Sequence, residues 1–328
     1  MAFVGAGGIA GRYLQTLQAE KEAGRATLAA ACDSVEERVA RAAAPFGARV
    51  FTDWRRMLEA ERYDAAFICV PPFAHEGQEA AFAERGSHRY VAKPVALHAA
   101  YARGVLDAVR RAGVLASSGY MWRYNGVNEE VQAILAGRPV GLVLGAYLGG
   151  LPGTPWWRRK AESGGQMVEQ TTHNFDLARY FPGEVDAVSA TGSLRLLTDV
   201  PEMQTEDASV CQSRFACGAI GNIASCCAVE AGGGRADVEI YARGAALRYD
   251  CERGFRAWVD GQQRSAENRN DPYEDIVRAF LQAVRTGDGS LLRSPYADAA
   301  ETLAVTEAAE RSLQAGGAPV AVERVARG

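Results

Sequence analysis

The chain has 328 residues and a formal net charge of −4. That length suits two domains of about 150 residues, and the charge supplies no overall basic field to draw the chain to nucleic acid. Hydrophobic residues make up 48% and charged residues 23%, an ordinary balance for a globular enzyme. No apolar stretch approaches the roughly 20 residues of a membrane helix. The longest, Ala216 to Val229, is interrupted by Asn222. No basic segment precedes an apolar one, so no signal peptide is expected. Seven cysteines include no C-x-x-C pair, and adjacent Cys226 and Cys227 are poorly placed to bridge each other. This usage points to a reduced cytoplasm.

Ala2-Phe3-Val4 reads as a short first strand, which fits a start assigned late or a trimmed end. Gly5-Ala6-Gly7-Gly8-Ile9-Ala10 follows, the G-x-G-x-x-A form of a dinucleotide-binding turn. The first Gly permits a tight turn and the second lets backbone approach a pyrophosphate. The small third residue lets helix and strand pack closely, and the helix N-terminus offers its amides to the anion. A helix is expected from about Gly8 to Glu22. Thr27 to Cys32 reads as the second strand and ends at Asp33, 23 residues past Ala10. An acid about 20 residues on is what an adenosine ribose requires.

Ser34 and Glu37 form a capping box, and Pro45 ends the helix it opens. Arg49 to Phe51 is a strand, Trp54 to Ala60 a helix, and Ala65 to Val70 an apolar run suited to a strand buried on both faces. A helix to Arg85, a strand over Arg89 to Ala92, a helix over His98 to Ala112 and a strand over Val114 to Ala116 complete the first 120 residues. Such alternation implies an α/β, doubly wound parallel sheet. After Tyr120 a helix spans Val127 to Leu135. Strand-like runs then cover Gly141 to Leu148, Val185 to Leu196, Ala208 to Phe215, Ile220 to Val229, Ala236 to Tyr241 and Ala246 to Tyr249. Few helices separate them, so this half reads as an α+β domain with a largely antiparallel sheet. Helices over Tyr273 to Arg285 and Ala297 to Leu313 close the chain. The expected domains are 1–120 and 121–328.

Several segments occur in one order: Cys69-Val70-Pro71-Pro72-Phe73-Ala74-His75, Ala92-Lys93-Pro94, Met121-Trp122-Arg123-Tyr124, Trp156-Trp157-Arg158, and Ser163 through Asp176. Together they resemble the glucose-fructose oxidoreductase / inositol dehydrogenase / rhizopine catabolism (Gfo/Idh/MocA) family over essentially the whole chain. The resemblance implies an N-terminal Rossmann domain and a C-terminal domain with an open-faced sheet. It implies exchange of a hydride between NAD(H) or NADP(H) and a sugar, cyclitol or related carbonyl. It also implies a homodimer or homotetramer formed through the C-terminal sheet. The departures are Ala92, where the family has Glu, and Glu169, where it has Asp.

Carried over onto this sequence, the family pattern implies that Gly5, Gly7, Gly8, Ile9, Ala10, Asp33, Ser34, Arg38, Val70, Pro71, Pro72, His75, Lys93, Arg123, Trp157 and Arg158 line the cofactor. Lys93, Tyr124, Trp156, Glu169, Thr172 and His173 would meet the substrate. Oxidising an alcohol needs a base for the hydroxyl proton and positive charge for the developing alkoxide. His173 suits the base, Lys93 the charge, and Glu169 the tuning of His173. On one continuous helix Glu169, His173 and Asp176 would share a face. His75 is expected to shape the turn beside the nicotinamide. No metal is expected, since Glu169 and His173 lack H-E-x-x-H spacing.

Asp33 favours NAD by accepting from a ribose hydroxyl and repelling a 2′-phosphate. Arg38 could reach such a phosphate, so NADP stays open. The aromatics Trp122, Tyr124, Trp156 and Trp157 suit either a sugar ring or core packing. The run Arg158-Arg159-Lys160 suits an acidic substrate or a solvated face. The alternatives are a catalytically silent dinucleotide sensor, or a reductase of dihydrodiol or tetrapyrrole type.

Overall fold

A computed structural model of the protein describes residues 1–229 and 232–326. The chain forms two compact units. The first comprises Met1–Ala96, Ala100–Tyr124 and Asp271–Ala300. The second comprises Leu97–Ala99, Asn125–Asn270 and the chain from Glu301 on. The cysteines are all unbridged, and among the described residues no helix is long and apolar enough to cross a membrane.

The first unit is built on six strands, β1 (Ala2–Val4), β2 (Ala30–Cys32), β3 (Arg49–Phe51), β4 (Ala65–Ile68), β5 (His88–Val91) and β6 (Ala116–Ser118). All pairs are parallel, in the order β3-β2-β1-β4-β5-β6. The order reverses between β1 and β4, which opens a crevice at the strands' C-terminal ends. Crossovers are supplied by α1 (Ala10–Glu22), α2 (Glu36–Ala43), α3 (Trp54–Ala60), α4 (Gln78–Glu84) and α5 (Ala99–Ala112). A late helix returns to this sheet. Its Phe280 stands edge-on to Phe67 at 5.4 Å and lies 5.8 Å from Tyr90, inside the stack of Phe3, Phe67 and Tyr90.

The second unit opens with α6 (Asn128–Leu135) and β7 (Val140–Leu148). Four short helices follow: α7 (Pro155–Arg158), α8 (Lys160–Ser163), α9 (Gln166–Glu169) and α10 (Thr172–Tyr180). The remaining strands are β8 (Val185–Ser193), β9 (Ala208–Phe215), β10 (Ile220–Cys226), β11 (Arg235–Ala242), β12 (Ala245–Asp250), β13 (Gly254–Val259), β14 (Gln262–Glu267) and β15 (Val320–Ala321). The chain's last long helices are α11 (Pro272–Thr286), which carries Phe280, and α12 (Tyr296–Gln314). The sheet order is β14-β13-β12-β11-β7-β10-β9-β8-β15, antiparallel except for the β7–β10 pair. Buried and exposed positions alternate along β9 and β10, and Leu144, Val210, Ile220 and Trp258 stay exposed. Asn174 of α10 pins its helix to the sheet by donating to the carbonyls of Ala146 and Asp237 at 3.0 and 2.9 Å.

A partly buried charge cluster lies beside the turn between α8 and α9. Lys160 Nζ lies 2.7 and 2.8 Å from the two Glu206 oxygens and 2.7 Å from Glu310 Oε2. A Cβ on Gly165, which has φ +93°, would stand 2.7 Å from Glu310 Oε1. Burial pushes the Glu310 carboxyl up to about 7, against the pull of Lys160.

Two predictions follow from these placements. Gly5 has φ +90°, and a Cβ there would lie 2.7 Å from backbone atoms of Cys69 and Val70. Gly5→Ala is expected to cost about 1–3 kcal/mol, read as a lowered Tm, and an unchanged Tm would refute the close approach. The second concerns pH. Because the folded state holds the Glu310 proton more tightly than the unfolded chain, stability falls as pH rises from the ordinary carboxylate range through about 7. Glu310→Gln removes this fall. Between pH 5 and 8 the wild-type Tm should drop relative to the variant by at least about 2–4 °C, the shift of one kcal/mol in a domain of this size. Parallel Tm curves would contradict it.

Candidate active site

The dinucleotide turn is made by contacts at the end of β1. The Gly5 N–H donates to Cys32 O at 2.8 Å, which joins β1 to the end of β2. Gly7 and Gly8 have no atoms within 4 Å of where a Cβ would stand, so the space over the turn is open. Helix α1 begins after Ile9 with no side-chain cap, and the Ala10 and Arg12 N–H groups bond to Gly7 O and Ile9 O, both at 3.1 Å, within the turn. Asp33 Oδ2 accepts the Ala6 N–H at 2.8 Å, and Oδ1 accepts the Val35 N–H at 2.9 Å. Arg38, half exposed, reaches Oδ1 at 3.3 Å. The Asp33 carboxylate therefore ties the end of β2 to the glycine turn. A turn closed to side chains below and open above, with a carboxylate at its edge, fits a dinucleotide.

The expected capping box at Ser34 is not formed. Ser34 is exposed, α2 starts one residue later with Val35 as an N-cap without a side-chain cap, and Asp33 accepts the Val35 N–H. The Asp33 side chain reaches the backbone two residues on, and the helix begins past Ser34.

At the end of β4, Val70 and Pro71 lead into a single turn over Pro72–Ala74 and then His75. His75 Nδ1 meets Glu79 Oε1, and Tyr101 donates to Glu79 Oε2 at 2.6 Å. Glu79 is fully buried. Burial would raise its carboxyl, yet His75 and Tyr101 hold it below the ordinary value. The helical spacing of His75 and Glu79 was the available signal for this pair; Tyr101 had none. Lys93 follows buried Ala92 and precedes Pro94 across a cis peptide, and is itself half-buried. Arg123 is buried, paired with Asp298, and donates to Arg293 O at 3.2 Å. The Tyr124 hydroxyl accepts the Arg293 N–H at 2.9 Å.

In the second unit, Trp157 is buried against Leu197 and Cys227, with Trp156 packed beside it. The Trp157 indole donates to Glu169 Oε2 at 2.9 Å. Arg158 donates to Pro201 O at 3.4 Å. Arg159 forks onto Glu162 at 2.7 and 2.8 Å and reaches Glu202 at 2.9 Å. With Lys160 held by Glu206 and Glu310, two cations of the basic run are matched within the unit, which is neither a solvated face nor an open anion site.

Glu169 and His173 do not share one helix. Gln166 O accepts from both Gln170 and Thr171, at 2.9 and 3.0 Å, and α10 restarts after Thr171. The Thr171 hydroxyl donates to Ser225 Oγ at 2.8 Å, and consecutive β-branched threonines crowd a continuing helix. The expected common face with Asp176 is replaced accordingly. Asp176 accepts from Thr302 at 2.9 Å, and Thr302 accepts from Arg179 at 2.6 Å. His173 and Thr172 are buried in the first turn of α10. Among the described residues no group of three or more His, Cys, Asp or Glu side chains is placed to hold a metal.

Comparison with known proteins accords with this architecture. The description "Oxidoreductase family, NAD-binding Rossmann fold" matches residues 1–120, and "GFO/IDH/MocA C-terminal domain" matches residues 129–248. Myo-inositol 2-dehydrogenase of Thermotoga maritima is 24% identical over 280 residues, covering 81% of this chain and 82% of the relative. GenD2 from gentamicin A biosynthesis, solved in complex with NAD, is 26% identical with a TM-score of 0.83, covering 98% of this chain and 95% of that one. Levoglucosan dehydrogenase, solved with NADH and levoglucosan, shares the fold at 20% identity, with a TM-score of 0.85 and 98% of each chain covered. With both halves matched, the chain belongs to the GFO/IDH/MocA oxidoreductase family.

Proposed function

We propose that the protein is an NAD-dependent dehydrogenase that oxidises a secondary hydroxyl of a sugar, cyclitol or related polyol, or reduces the matching ketone. The observation that carries this reading is His173, buried in the first turn of α10, just after a Glu169 carboxylate fixed by an indole N–H. The relatives support it, being named for inositol and levoglucosan. When bound, the nicotinamide supplies the hydride acceptor. His173 takes the hydroxyl proton as the alcohol is oxidised and returns it in reduction. Lys93 steadies the negative charge on the substrate oxygen. Glu169 orients the imidazole, Thr172 and Trp156 border the substrate, and Tyr124 and Arg123 support that end of the first unit.

Pyrophosphate is bound by the turn Gly5–Ala10, and the adenosine ribose by Asp33 with Ser34 beside it. The nicotinamide side is formed by Val70, Pro71, Pro72 and His75, with Trp157 and Arg158 contributed by the motif region. NAD is preferred because the Asp33 carboxylate repels a 2′-phosphate. Residues 1–120 serve the cofactor and 121–328 the substrate, with residues 271–300 completing the first unit's core. The exposed apolar side chains Leu144, Val210 and Ile220 suit a face covered by a second copy in a cytoplasmic homo-oligomer.

Reduction of NAD⁺ and NADP⁺ is followed at 340 nm against sugars, inositols and sugar acids. His173→Ala should lower kcat/KM by about 10²–10⁴-fold with NADH affinity nearly unchanged. Cofactor binding with no turnover on any of these substrates would favour the sensor reading. For cofactor choice, kcat/KM with NAD⁺ should exceed that with NADP⁺ by at least about tenfold. Asp33→Ala should narrow that gap, since it releases Arg38 to meet a phosphate. A wild-type preference for NADP⁺ would overturn the assignment of Asp33.

A further inference from the structure

Asp207 is fully buried at the entry to β9, and one oxygen of its carboxylate gathers three successive backbone amides. Oδ2 accepts the N–H groups of Arg195 at 2.7 Å, of Leu197 at 3.0 Å, and of Leu196 between them. Oδ1 is buried without a hydrogen-bond partner. Three N–H groups converging on one anion form a nest, and their summed partial charge takes the place of a cation. The Asp207 backbone belongs to the same join: its N–H donates to Ser193 O, and its carbonyl accepts the Cys227 N–H, both at 3.0 Å.

The gathered segment packs on one target. Leu197 lies in the buried cluster with Trp157 and Cys227, and Leu194, Val200 and Met203 press against it. Where the loop ends, the Gln204 N–H donates to Arg158 O at 3.0 Å, and the Thr205 hydroxyl donates to Trp157 O at 3.3 Å. The loop that Asp207 folds therefore grips Trp157 by both side chain and backbone. The indole N–H of Trp157 in turn donates to Glu169 Oε2 at 2.9 Å. A buried carboxylate is a costly way to hold a loop, and its use here fits a requirement for position more than for bulk stability.

We propose that Asp207 is a positioning residue for the Glu169 carboxylate, acting through the 195–197 backbone and the Trp157 side chain. Its catalytic meaning rests on the reading of Glu169 as the partner of His173. Without the clasp, the three amides lose their shared acceptor and Leu197 loosens from Trp157. The indole then no longer holds Glu169 in one orientation.

The test uses the full-length protein labelled with indole-¹⁵N tryptophan, whose five tryptophans give five indole N–H signals. Trp157→Phe identifies the Trp157 signal. In Asp207→Asn that signal alone should move upfield and exchange with solvent at least about tenfold faster. Glu169→Gln should move the same signal with the clasp intact. In parallel, Asp207→Asn should lower kcat about tenfold and shift the pH profile of kcat. An unchanged Trp157 signal in Asp207→Asn overturns the proposal. So does an equal change at all five indoles, which marks general loosening. If Trp157 alone responds while the wild type turns over no substrate, the dehydrogenase reading falls and the positioning of Glu169 stands.

Discussion

Between the α-carbon of Gly5 and the backbone of Cys69 and Val70 there is no room for a methyl group. The rest of the first unit depends on that closeness. It lets β1 end flush against β4 where the strand order reverses, so the chain turns away into α1 past Gly7 and Gly8, with open space where their side chains would stand. It also brings Ala6 within reach of Asp33, whose carboxylate then spans the ends of β1 and β2. A side chain at position 5 would push the turn outward and separate the amides from the acid. The same residues that make a parallel sheet possible thus leave an anion site at its edge.

The second unit fixes its chemistry-bearing segment by different means. From Pro155 to Tyr180 the chain makes four short helices, none long enough to be stable alone. Their positions are set by buried and half-buried polar ties to distant strands and helices: Lys160 to Glu206 and Glu310, Thr171 to Ser225, Asn174 to the carbonyls of β7 and β11. Each tie satisfies a group whose isolation away from water would be costly. The broken helix between Glu169 and His173 is one product of these ties. A continuous helix would carry Thr171 away from Ser225 and forfeit that bond.

What was legible in the sequence follows from the range of the forces involved. The strands and helices of the first 120 residues could be read because their determinants are local: a glycine turn, short apolar runs, and helix stops at Gly86 and Gly113. The polar edge strand β14, all six of whose residues lie at or near the surface, carries no apolar signal. Its neighbour β13 did alternate, with Phe255, Ala257 and Val259 inward, and could have been found. In the candidate site, His173, Glu169 and Lys93 were picked out by motif. Trp157 was picked out too, but its bond to Glu169 was not, because the two residues sit on different short helices whose meeting no local pattern reveals. Ser34 misled for the opposite reason. Its capping pattern was sound locally, but an Asp33 turn precedes it and the helix starts one residue later.

Helix α11 adds a constraint in time. Phe280 completes the aromatic stack of Phe67 and Tyr90, although some 190 residues separate it from the strand that carries Tyr90. At the usual pace of about 5–20 residues per second, a ribosome needs roughly ten to thirty seconds to travel from the end of β6 to that phenylalanine. Until then the residues of the parallel sheet lack part of their aromatic core. The unit that begins the chain is therefore completed only when Asp271–Ala300 has been made.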